Sequence, residues 1–349
     1  MPLSEALQTI LNSIPVVISH DNPKNPEFPP WAPKFPATPT RKISVPGLSN
    51  VWLKDESHNP SGTHKDRMAW EMVVTYRQIL VALLHSPTLS STLPSMSIIS
   101  SGSAAVAIQN MLKRYHLPAL KVIVDVSTDA KIQKHLKRIG CEVYVLDLSK
   151  QRLEWTDVLR ETNNQNGLDI TSNEAFDPHT RFYDWLSYEI INENAEFCFV
   201  PFGTGALYEN LLNVAKTQVS DGKEGKDPRF LGNIDTLRQC RFYGARTSNP
   251  LSKAAAKLYS PYLPYAHYND HWIRYYKMIG CCGEESRVGY FTEEYLEEAI
   301  ALAADQGIEA EPSALAGLAM LLKMKAKLPS DAKILVVSTG KANLSFSEE

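Results

Sequence analysis

The chain has 349 residues, of which 44% are apolar and 21% charged, a balance typical of a globular protein. The chain has 36 Lys and Arg against 39 Asp and Glu, which gives a net charge of −3. This balance argues against a non-specific nucleic-acid-binding protein, because such a protein needs an excess of basic residues. No apolar run reaches the roughly 18 residues of a membrane span, and no secretion signal opens the sequence. Five widely spread cysteines indicate reduced thiols of a cytosolic protein. We therefore expect a cytoplasmic location and no nucleic-acid or membrane partner.

The predicted elements alternate between strands and helices. Eleven of the 22 prolines lie in the first 60 residues, which predicts an extended arm with little helix beyond residues 3–13. Short apolar runs predict strands at residues 51–54, 97–100, 121–126, 142–146, 197–200, 241–244 and 334–337. Amphipathic segments predict helices at residues 65–83, 104–116, 131–139, 181–192, 206–216, 293–305 and 313–322. This alternation is typical of an α/β fold with mostly parallel sheets flanked by helices.

Two common nucleotide-binding motifs are missing from the sequence. Gly203-Thr204-Gly205 runs on without the third glycine of a G-x-G-x-x-G fingerprint. Gly340-Lys341 is followed by Ala342 and therefore does not complete a P-loop. The sequence supports neither a dinucleotide fold nor a P-loop NTPase.

The first distinctive strand-to-helix turn is residues 54–67, K-D-E-S-H-N-P-S-G-T-H-K-D-R. It places Lys65 in the first turn of a predicted helix, where the positive end of the helix dipole disfavours a cation. The same field favours the neutral amine, the form that condenses with an aldehyde. The alternative is a solvated lysine beside an ordinary helix cap, and this motif alone leaves both interpretations open.

Two further turns place small residues where a predicted strand gives way to a helix. Residues 100–105, S-S-G-S-A-A, provide amides and hydroxyls that suit a carboxylate, although a plain serine cap has the same pattern. Residues 200–207, V-P-F-G-T-G-A-L, contain two glycines that let neighbouring amides converge on a phosphate. Because this turn is short and has no lysine, it suits a phosphate monoester better than a triphosphate with magnesium.

Taken in order, N-P-S-G-T-H-K-D-R, S-S-G-S-A-A and G-T-G-A-L resemble the fold type II, or β-family, of pyridoxal-phosphate enzymes. Residues 307–314, G-I-E-A-E-P-S-A, are similar to a helix start of that family, and residues 336–340, V-V-S-T-G, to its closing strand. The resemblance implies a tryptophan-synthase-β-like fold of two domains. Residues 1–86 and 170–349 would form a large cofactor-binding domain, and residues 87–169 a small mobile one.

The resemblance also implies roles for individual residues. Lys65 would bind pyridoxal 5'-phosphate covalently and then transfer protons, and Ser103 would contact the cofactor. The hydroxyl of Thr339 would meet the pyridine nitrogen, and a hydroxyl there makes the ring a weaker electron sink, which favours elimination over transamination. The cofactor phosphate would be held by the backbone of Gly203, Thr204, Gly205, Ala206 and Leu207. The substrate carboxylate would be bound at Ser100, Ser101, Gly102, Ser103 and Ala104.

The sequence departs from the family pattern in three places. Ser103 stands where an Asn usually contacts the phenolate oxygen, and His64 precedes the lysine where Phe, Tyr or Val is usual. Thr204 and Ala206 replace glycines that are frequent in the phosphate turn. These departures leave the fold implied by the resemblance unchanged but loosen its implications for substrate and activity.

Threonine synthase is the family member that the motifs resemble most, through W-L-K-D-E, N-P-S-G-T-x-K-D-R and the closing S-T-G. The resemblance implies a pyridoxal-phosphate-dependent lyase or β/γ-replacement enzyme, a homodimer, that acts on a small amino acid through an external aldimine and elimination. The alternatives are a threonine or serine dehydratase, a cysteine-synthase-like enzyme, and a catalytically reduced protein that binds the cofactor.

The remaining distinctive residues have weaker interpretations. A phosphorylated substrate would need an additional cation, for which Lys54, Arg67 and Arg181 are candidates, although such residues are more often solvated or ion-paired. Cys281-Cys282 is interpreted as a loop pair, because no second pair or His at ligand spacing supports a metal site. The aromatic run from Tyr259 to Tyr276 is interpreted as packing or a dimer face.

Overall fold

The computed structural model describes residues 9–10, 12–13, 38–85, 93–150, 153–171, 182–220, 227, 229–247, 252, 258 and 270–341. Its strands are Thr40–Val45 (β1), Leu48–Asp55 (β2), Met96–Ile99 (β3), Lys121–Asp125 (β4), Glu142–Leu146 (β5), Leu168–Asp169 (β6), Phe197–Pro201 (β7), Arg241–Thr247 (β8), Arg287–Phe291 (β9) and Ile334–Ser338 (β10). Its α-helices are Lys65–His85 (α1), Ser103–Arg114 (α2), Ala130–Ile139 (α3), Trp155–Glu161 (α4), Asp184–Ile191 (α5), Ala206–Ser220 (α6), Ile234–Gln239 (α7), Asp270–Met278 (α8), Glu293–Asp305 (α9) and Ala316–Met324 (α10). Short 3₁₀ helices lie at Glu56–His58, Pro312–Leu315 and Lys325–Lys327. In the described segments, no helix has both the length and the apolar composition to cross a membrane.

The α/β fold class is confirmed, and every predicted strand and helix overlaps an observed one. One part of the predicted N-terminal arm is wrong, because residues 40–45 form β1, which pairs antiparallel with β2. The reason is that Ile43 and Val45 lie two residues apart and are both buried, the alternation of a strand with one face on the core. The pattern also missed β6, β9, α4, α7 and α8, which are short or weakly apolar.

The larger sheet belongs to a compact unit built from Phe35–His64 and Tyr183–Asn343, called here the six-stranded unit. Its strand order is β1-β2-β10-β7-β8-β9, and all strands after β1 run parallel to their neighbours. Helix α10 packs across β7, β8, β9 and β10, and α9 packs on α10. The apolar core between them includes Phe199, Leu318 and Val336. Because β2, β10 and β7 run parallel to one another, their carboxyl ends lie at one edge of the sheet.

The smaller sheet belongs to a second unit, built mainly from Lys65–Phe182 and called here the four-stranded unit. Its strand order is β5-β4-β3-β6, and all neighbouring strands are parallel. Helix α1 packs along α2, and α2 contacts α3. Met96, Ile108 and Val122 lie in the core of this unit and are inaccessible to solvent.

The helix that begins with Lys65 groups with the four-stranded unit. The physical reason is the extensive contact between α1 and α2, which lies within the four-stranded unit. The large domain of residues 1–86 and 170–349 stays a prediction. The mobile small domain of residues 87–169, with the movement expected of it, stays a prediction.

Candidate active site

Three neighbouring parallel strands of the six-stranded unit end at the same edge of the sheet. β10 lies between β2 and β7, and Ser338 is in register with Asp55. The segments that follow these strands are residues 56–64, 339–341 and 202–205. In open α/β sheets this carboxyl edge is where ligands bind. Three of the sequence segments with predicted roles therefore meet at one edge.

The segment before Lys65 is joined to the closing segment by backbone hydrogen bonds. Thr63 forms an antiparallel bridge with Gly340, and the amide of Lys341 donates to the carbonyl of Gly62 over 2.8 Å. Gly340 has φ +122°, and a Cβ at this position would lie 2.2 Å from that same carbonyl oxygen. Only glycine fits such a close approach. The position of the backbone just before Lys65 is thus set by the end of β10.

Lys65 is the first residue of α1, as the sequence predicted. Its side chain is half-buried, and the acidic Asp66 follows it in the first helical turn. A lysine in this place lies at the positive end of a helix of 21 residues. The structure therefore confirms the local setting of Lys65, while its chemical role stays a prediction.

His64 is held by several contacts within the six-stranded unit. Its Nδ1 lies 3.1 Å from the carbonyl oxygen of Thr339, so the proton of the neutral ring is placed on Nδ1 as the donor. Its backbone amide donates to the same oxygen over 3.0 Å. The ring stacks on Tyr183 with 5.3 Å between centroids. This departure from the family pattern is thus a structural tie between the closing segment and the residue before Lys65.

The glycine turn after β7 has the geometry of an anion cradle. Gly205 has φ +90°, and α6 begins at Ala206 and runs for 15 residues. The first turn of a helix leaves backbone amides that point beyond its N-terminus, where the helix dipole favours negative charge. Thr204 is exposed and Leu207 is buried. These residues fit the phosphate of the expected cofactor.

Ser338 is a site candidate that the sequence analysis missed. Its side chain is fully buried at the end of β10, and its Oγ has no hydrogen-bond partner in the described part of the chain. Leaving a buried hydroxyl without a partner costs about 1–3 kcal/mol, so such a group calls for a ligand. A ring nitrogen is a suitable partner for this hydroxyl. Ser338 is therefore, after the glycine turn, the second feature of this edge that fits pyridoxal phosphate.

Ser338 and Thr339 are both hydroxyl residues, and the sequence analysis chose the second of them. Consecutive residues of an extended backbone point to opposite sides, so one of the two at most faces a given ligand. The carbonyl of Thr339 accepts from His64, whereas the neighbouring Ser338 holds the unpartnered Oγ. The sequence signal that could have raised Ser338 as a candidate is that neighbouring side chains of a strand point to opposite sides. The predicted contact of Thr339 with the pyridine nitrogen remains untested.

The serine turn of the four-stranded unit, residues 100–104, follows β3 and begins α2. The hydroxyl of Ser100 accepts from the amides of Gly102 over 3.1 Å and of Ala105 over 3.4 Å. Ser100 thus shapes the helix start, as the plain serine cap would. Ser101 is exposed, whereas Ser103 and Ala104 are half-buried. Binding of a substrate carboxylate by Ser100, Ser101, Gly102 and Ala104, and of the cofactor by Ser103, stays a prediction.

A buried carboxyl lies beside the serine turn and was not predicted. Asp169 on β6 accepts from the amide of Thr171 over 2.9 Å, and the hydroxyl of Thr171 accepts from the amide of Ile99 at the end of β3. Burial raises the pKa of Asp169 to about 6, although hydrogen bonds from Thr171 oppose the shift. The segment that leads into the serine turn is therefore connected to a group that titrates near neutral pH.

The structure does not support a substrate-phosphate role for the cationic residues that the sequence suggested. Lys54 is buried, pairs with Glu189 on α5 and donates to the carbonyl of Thr38 over 2.6 Å. Arg67 is fully buried in α1, and Arg181 lies outside the described residues. Lys54 is therefore a structural residue of the six-stranded unit, in agreement with its ion-paired interpretation.

The structure gives the positions of the cysteines and of part of the aromatic run, and the interpretation of that run as packing or a dimer face stays a prediction. All five cysteines are free and buried thiols, and Cys281-Cys282 lies in the loop between α8 and β9. No group of three or more His, Cys, Asp or Glu side chains in the described segments is arranged to hold a metal ion. Of the aromatic run, Tyr275 and Tyr276 lie on α8, while residues 259–268 lie outside the described residues.

Comparison with known proteins gives a family and a set of similar structures. The family model described as "Pyridoxal-phosphate dependent enzyme" matches residues 34–340. An O-ureido-L-serine synthase is 14% identical with a TM-score of 0.62, covering 95% of this chain and 91% of its own. Threonine deaminase isoform 2 from Solanum lycopersicum is 16% identical (TM-score 0.57; 99% and 90% covered), and maize serine racemase is 17% identical (TM-score 0.59; 96% and 93% covered). At such low identity these likenesses show the fold alone. The sequence has no match among curated proteins.

Proposed function

The chain belongs to the pyridoxal-phosphate dependent enzyme family, and from this premise we propose that it is a lyase or β/γ-replacement enzyme acting on a small amino acid. Its motifs resemble those of threonine synthase most, so the proposed substrates are amino acids with a leaving group at the β- or γ-carbon. The alternatives within this proposal are dehydration of threonine or serine and a cysteine-synthase-like replacement. The homodimeric state and cytoplasmic location expected from the sequence remain predictions.

The observation that carries this proposal is the buried, unpartnered hydroxyl of Ser338. Asp55, in register with it on β2, uses its carboxylate to accept from the amide of Ser57 and to pair with Arg41 at 3.6 Å. A hydroxyl partner leaves a pyridine nitrogen largely unprotonated, whereas a carboxylate would protonate it. A weaker electron sink favours elimination over transamination.

Pyridoxal phosphate, when bound, supplies an electron sink for the bonds at the α-carbon of an amino acid. In the proposal, Lys65 binds the cofactor aldehyde and later holds the proton removed from that carbon. The amides of Gly205, Ala206 and Leu207 bind the phosphate. The hydroxyl of Ser338 orients the ring, and the amides of the serine turn orient the substrate carboxylate. Each role uses a group whose local setting is described above.

A product screen tests this proposal. Purified protein saturated with the cofactor is incubated separately with O-phosphohomoserine, threonine, serine, and O-acetylserine plus sulfide. Ammonia, 2-oxo acids, threonine and cysteine are then measured. We expect elimination or replacement products from at least one substrate. Amino-group transfer to an added 2-oxo acid as the main reaction would contradict the proposal. Cofactor binding without turnover of any of these substrates would favour the catalytically reduced alternative suggested by Ser103.

A further inference from the structure

The strand that leads into the serine turn is held on its two sides by different kinds of acceptor. β3 ends at Ile99, and the serine turn, residues 100–104, follows it directly. On the side of β4, the amide of Ser100 donates to the backbone carbonyl of Ile123 over 3.0 Å. On the side of β6, the amide of Ile99 donates to the hydroxyl of Thr171 over 3.0 Å. One side of this strand end therefore depends on a side chain.

Thr171 takes the place of a backbone acceptor beyond the end of β6. This strand comprises only Leu168–Asp169, and the amide of the next residue, Ile170, still donates to the carbonyl of Ser97 over 2.9 Å. In a regular parallel ladder the amide of Ile99 would donate to a backbone carbonyl of the neighbouring strand. The hydroxyl of Thr171 accepts from this amide instead. Loss of the hydroxyl would therefore remove the last hydrogen bond between β3 and the segment of β6.

Asp169 orients Thr171 through a turn at the end of β6. The carboxylate of Asp169 accepts from the amide of Thr171, two residues ahead, over 2.9 Å. This is an Asx turn, in which a side chain replaces a backbone group of the turn. Asp169 is buried, so the packing around it restricts the position of its carboxylate. A path of hydrogen bonds thus runs from Asp169 through Thr171 to the last residue of β3.

This path ends where the proposed function needs a fixed backbone. Ser100 follows the last residue of β3, and its hydroxyl accepts from the amides of Gly102 and Ala105. Amides at a helix start bind an anion well only when they point at it together. A shift at the end of β3 would therefore move the amides that the proposed function assigns to the substrate carboxylate.

We propose that Thr171 is a positioning residue for the substrate carboxylate. Its hydroxyl fixes the end of β3 and so the direction of the amides in the serine turn, and Asp169 orients Thr171. This inference rests on the proposed function, because it takes the serine turn as the binding place of the carboxylate. Thr171 acts through the backbone and needs no contact with the substrate or the cofactor. Its loss should weaken recognition of a carboxylate more than it weakens the fold.

Two substitutions of Thr171 separate its hydroxyl from its shape. Thr171→Val keeps the shape and removes the hydroxyl, whereas Thr171→Ser keeps the hydroxyl. The matched control is Thr162→Val, because Thr162 is a fully buried hydroxyl residue whose Oγ1 lies 2.8 Å from the Oγ of Ser97 on the same strand. Ser97 lies two residues before Ile99 and is not part of the serine turn. The control therefore shows what the loss of a hydroxyl contact with β3 does away from the turn.

Amide hydrogen exchange tests the positioning directly. The cofactor-saturated protein is exchanged in the absence of any amino acid, and the amides of residues 99–105 are followed. We expect exchange at these amides to be about 3- to 10-fold faster in Thr171→Val, the range that the loss of an ordinary hydrogen bond gives. Thr171→Ser should exchange like the wild-type protein, and Thr162→Val should show a smaller change at these amides. Wild-type exchange rates in Thr171→Val would overturn the proposal.

A pair of ligands tests whether this positioning matters for recognition. L-alanine and L-alaninamide differ in the carboxylate, and neither has a leaving group at the β-carbon. Their affinities for the cofactor-saturated protein are measured from the change in cofactor absorbance. We expect the preference for alanine over its amide to fall about 3- to 10-fold in Thr171→Val and to persist in Thr171→Ser and Thr162→Val. An unchanged preference beside faster exchange would make the hydroxyl purely structural and would overturn the proposal.

Failure of the proposed function gives a different result. A wild-type protein without a preference for alanine over its amide would contradict carboxylate binding by the serine turn and would overturn the inference with it. Faster exchange in Thr171→Val would then show that the support of the turn is correct and its use is not. If Thr171→Val folds poorly, Asp169→Ala takes its place, because it removes the carboxylate that orients Thr171. Asp169→Asn keeps an acceptor oxygen and should behave like the wild-type protein in both measurements.

Discussion

The carboxyl edge of the six-stranded unit and the serine turn of the four-stranded unit are built differently. At the edge, backbone groups of residues far apart in the sequence meet, as in the contacts of Gly62 with Lys341 and of His64 with Thr339. In the serine turn, Ser100 accepts from amides two and five residues ahead. A local turn tolerates substitution more easily than a junction of three strands. In the proposed function, the carboxyl edge binds the cofactor and the serine turn binds the substrate.

Loss of the Lys65 amine should have the largest effect, because it removes the group on which both regions depend in the proposed function. Lys65→Ala should lower activity by on the order of 10³-fold, the range of a general base. Borohydride reduction of the wild-type protein followed by peptide mapping should place the pyridoxyl group on Lys65. Lys134→Ala, which changes an exposed lysine on α3, is the control and should retain activity. A pyridoxyl label on another lysine would contradict this role.

The rigidity of the edge can be tested by adding one methyl group. Gly340→Ala places a Cβ 2.2 Å from a backbone oxygen, at a residue with φ +122°. The free energy of unfolding should therefore fall by more than the roughly 1–3 kcal/mol that backbone strain alone costs. Gly47→Ala is the matched control, because Gly47 has φ +87° but no atom within 4 Å of the new Cβ. Urea unfolding of both variants measures the difference. Equal losses would show that the close approach at the edge does not matter.

The free energy of unfolding should fall as the pH rises, because of Asp169 near the serine turn. The pKa of Asp169 is about 6 in the folded protein and 3.8 as the ordinary value. Its stabilising contribution is therefore complete below pH 3.8 and is lost as the pH rises through 6. The loss is up to about 3 kcal/mol between these limits. Asp169→Asn should remove this part of the pH dependence, as measured by urea unfolding at pH 4, 6 and 8.

The phosphate cradle can be separated from the fold by a pair of glycine variants. Gly203 has no left-handed backbone, whereas Gly205 has φ +90°. Gly203→Val should therefore weaken cofactor retention about tenfold, or about 1.4 kcal/mol, with little change in the melting temperature of the apoprotein. Gly205→Val should lower both quantities. Dialysis followed by absorbance measures retention. Equal losses of retention and stability for Gly203→Val would make the turn purely structural.

The smallest effect is expected at Ser103 in the serine turn. An Asn side chain reaches farther by roughly one bond of about 1.5 Å and can replace a bridging water at the cofactor. Ser103→Asn should raise cofactor affinity by up to about 1 kcal/mol, a fraction of a charge-assisted hydrogen bond. Ser101 is exposed, and Ser101→Asn should leave the cofactor affinity unchanged. If both Ser103→Asn and Ser103→Ala are neutral, Ser103 does not contact the cofactor.

Local patterns predicted the parts of this molecule that depend on neighbouring residues. The helix starts at Lys65 and Ala206 follow from turn residues beside apolar runs, and the structure has both. The sequence did not reveal the pairing of Lys54 with Glu189, because that contact depends on how α5 packs beside β2. It did not distinguish Ser338 from Thr339 either, because one residue of register decides which hydroxyl is buried without a partner.

Strand β10 was predicted from its apolar run, but its place in the sheet was not. Nothing in the sequence of residues 334–338 indicates that they pair with β2 on one side and β7 on the other. Likewise β1 was hidden by the prolines around it, although its own residues alternate in burial. Local composition thus predicted which segments are strands, while long-range packing determined their neighbours.

The central position of β10 has a consequence for how the protein is made. During synthesis β2 and β7 emerge before their shared neighbour, and each has an unpaired edge until residues 334–338 arrive. Unpaired parallel strands with buried apolar side chains are prone to associate with other chains. Closure between such distant segments is also slow, because the entropy of a long loop is lost before the pairing contributes. We therefore expect nascent chains to be more prone to aggregate before residues 334–338 are made than after.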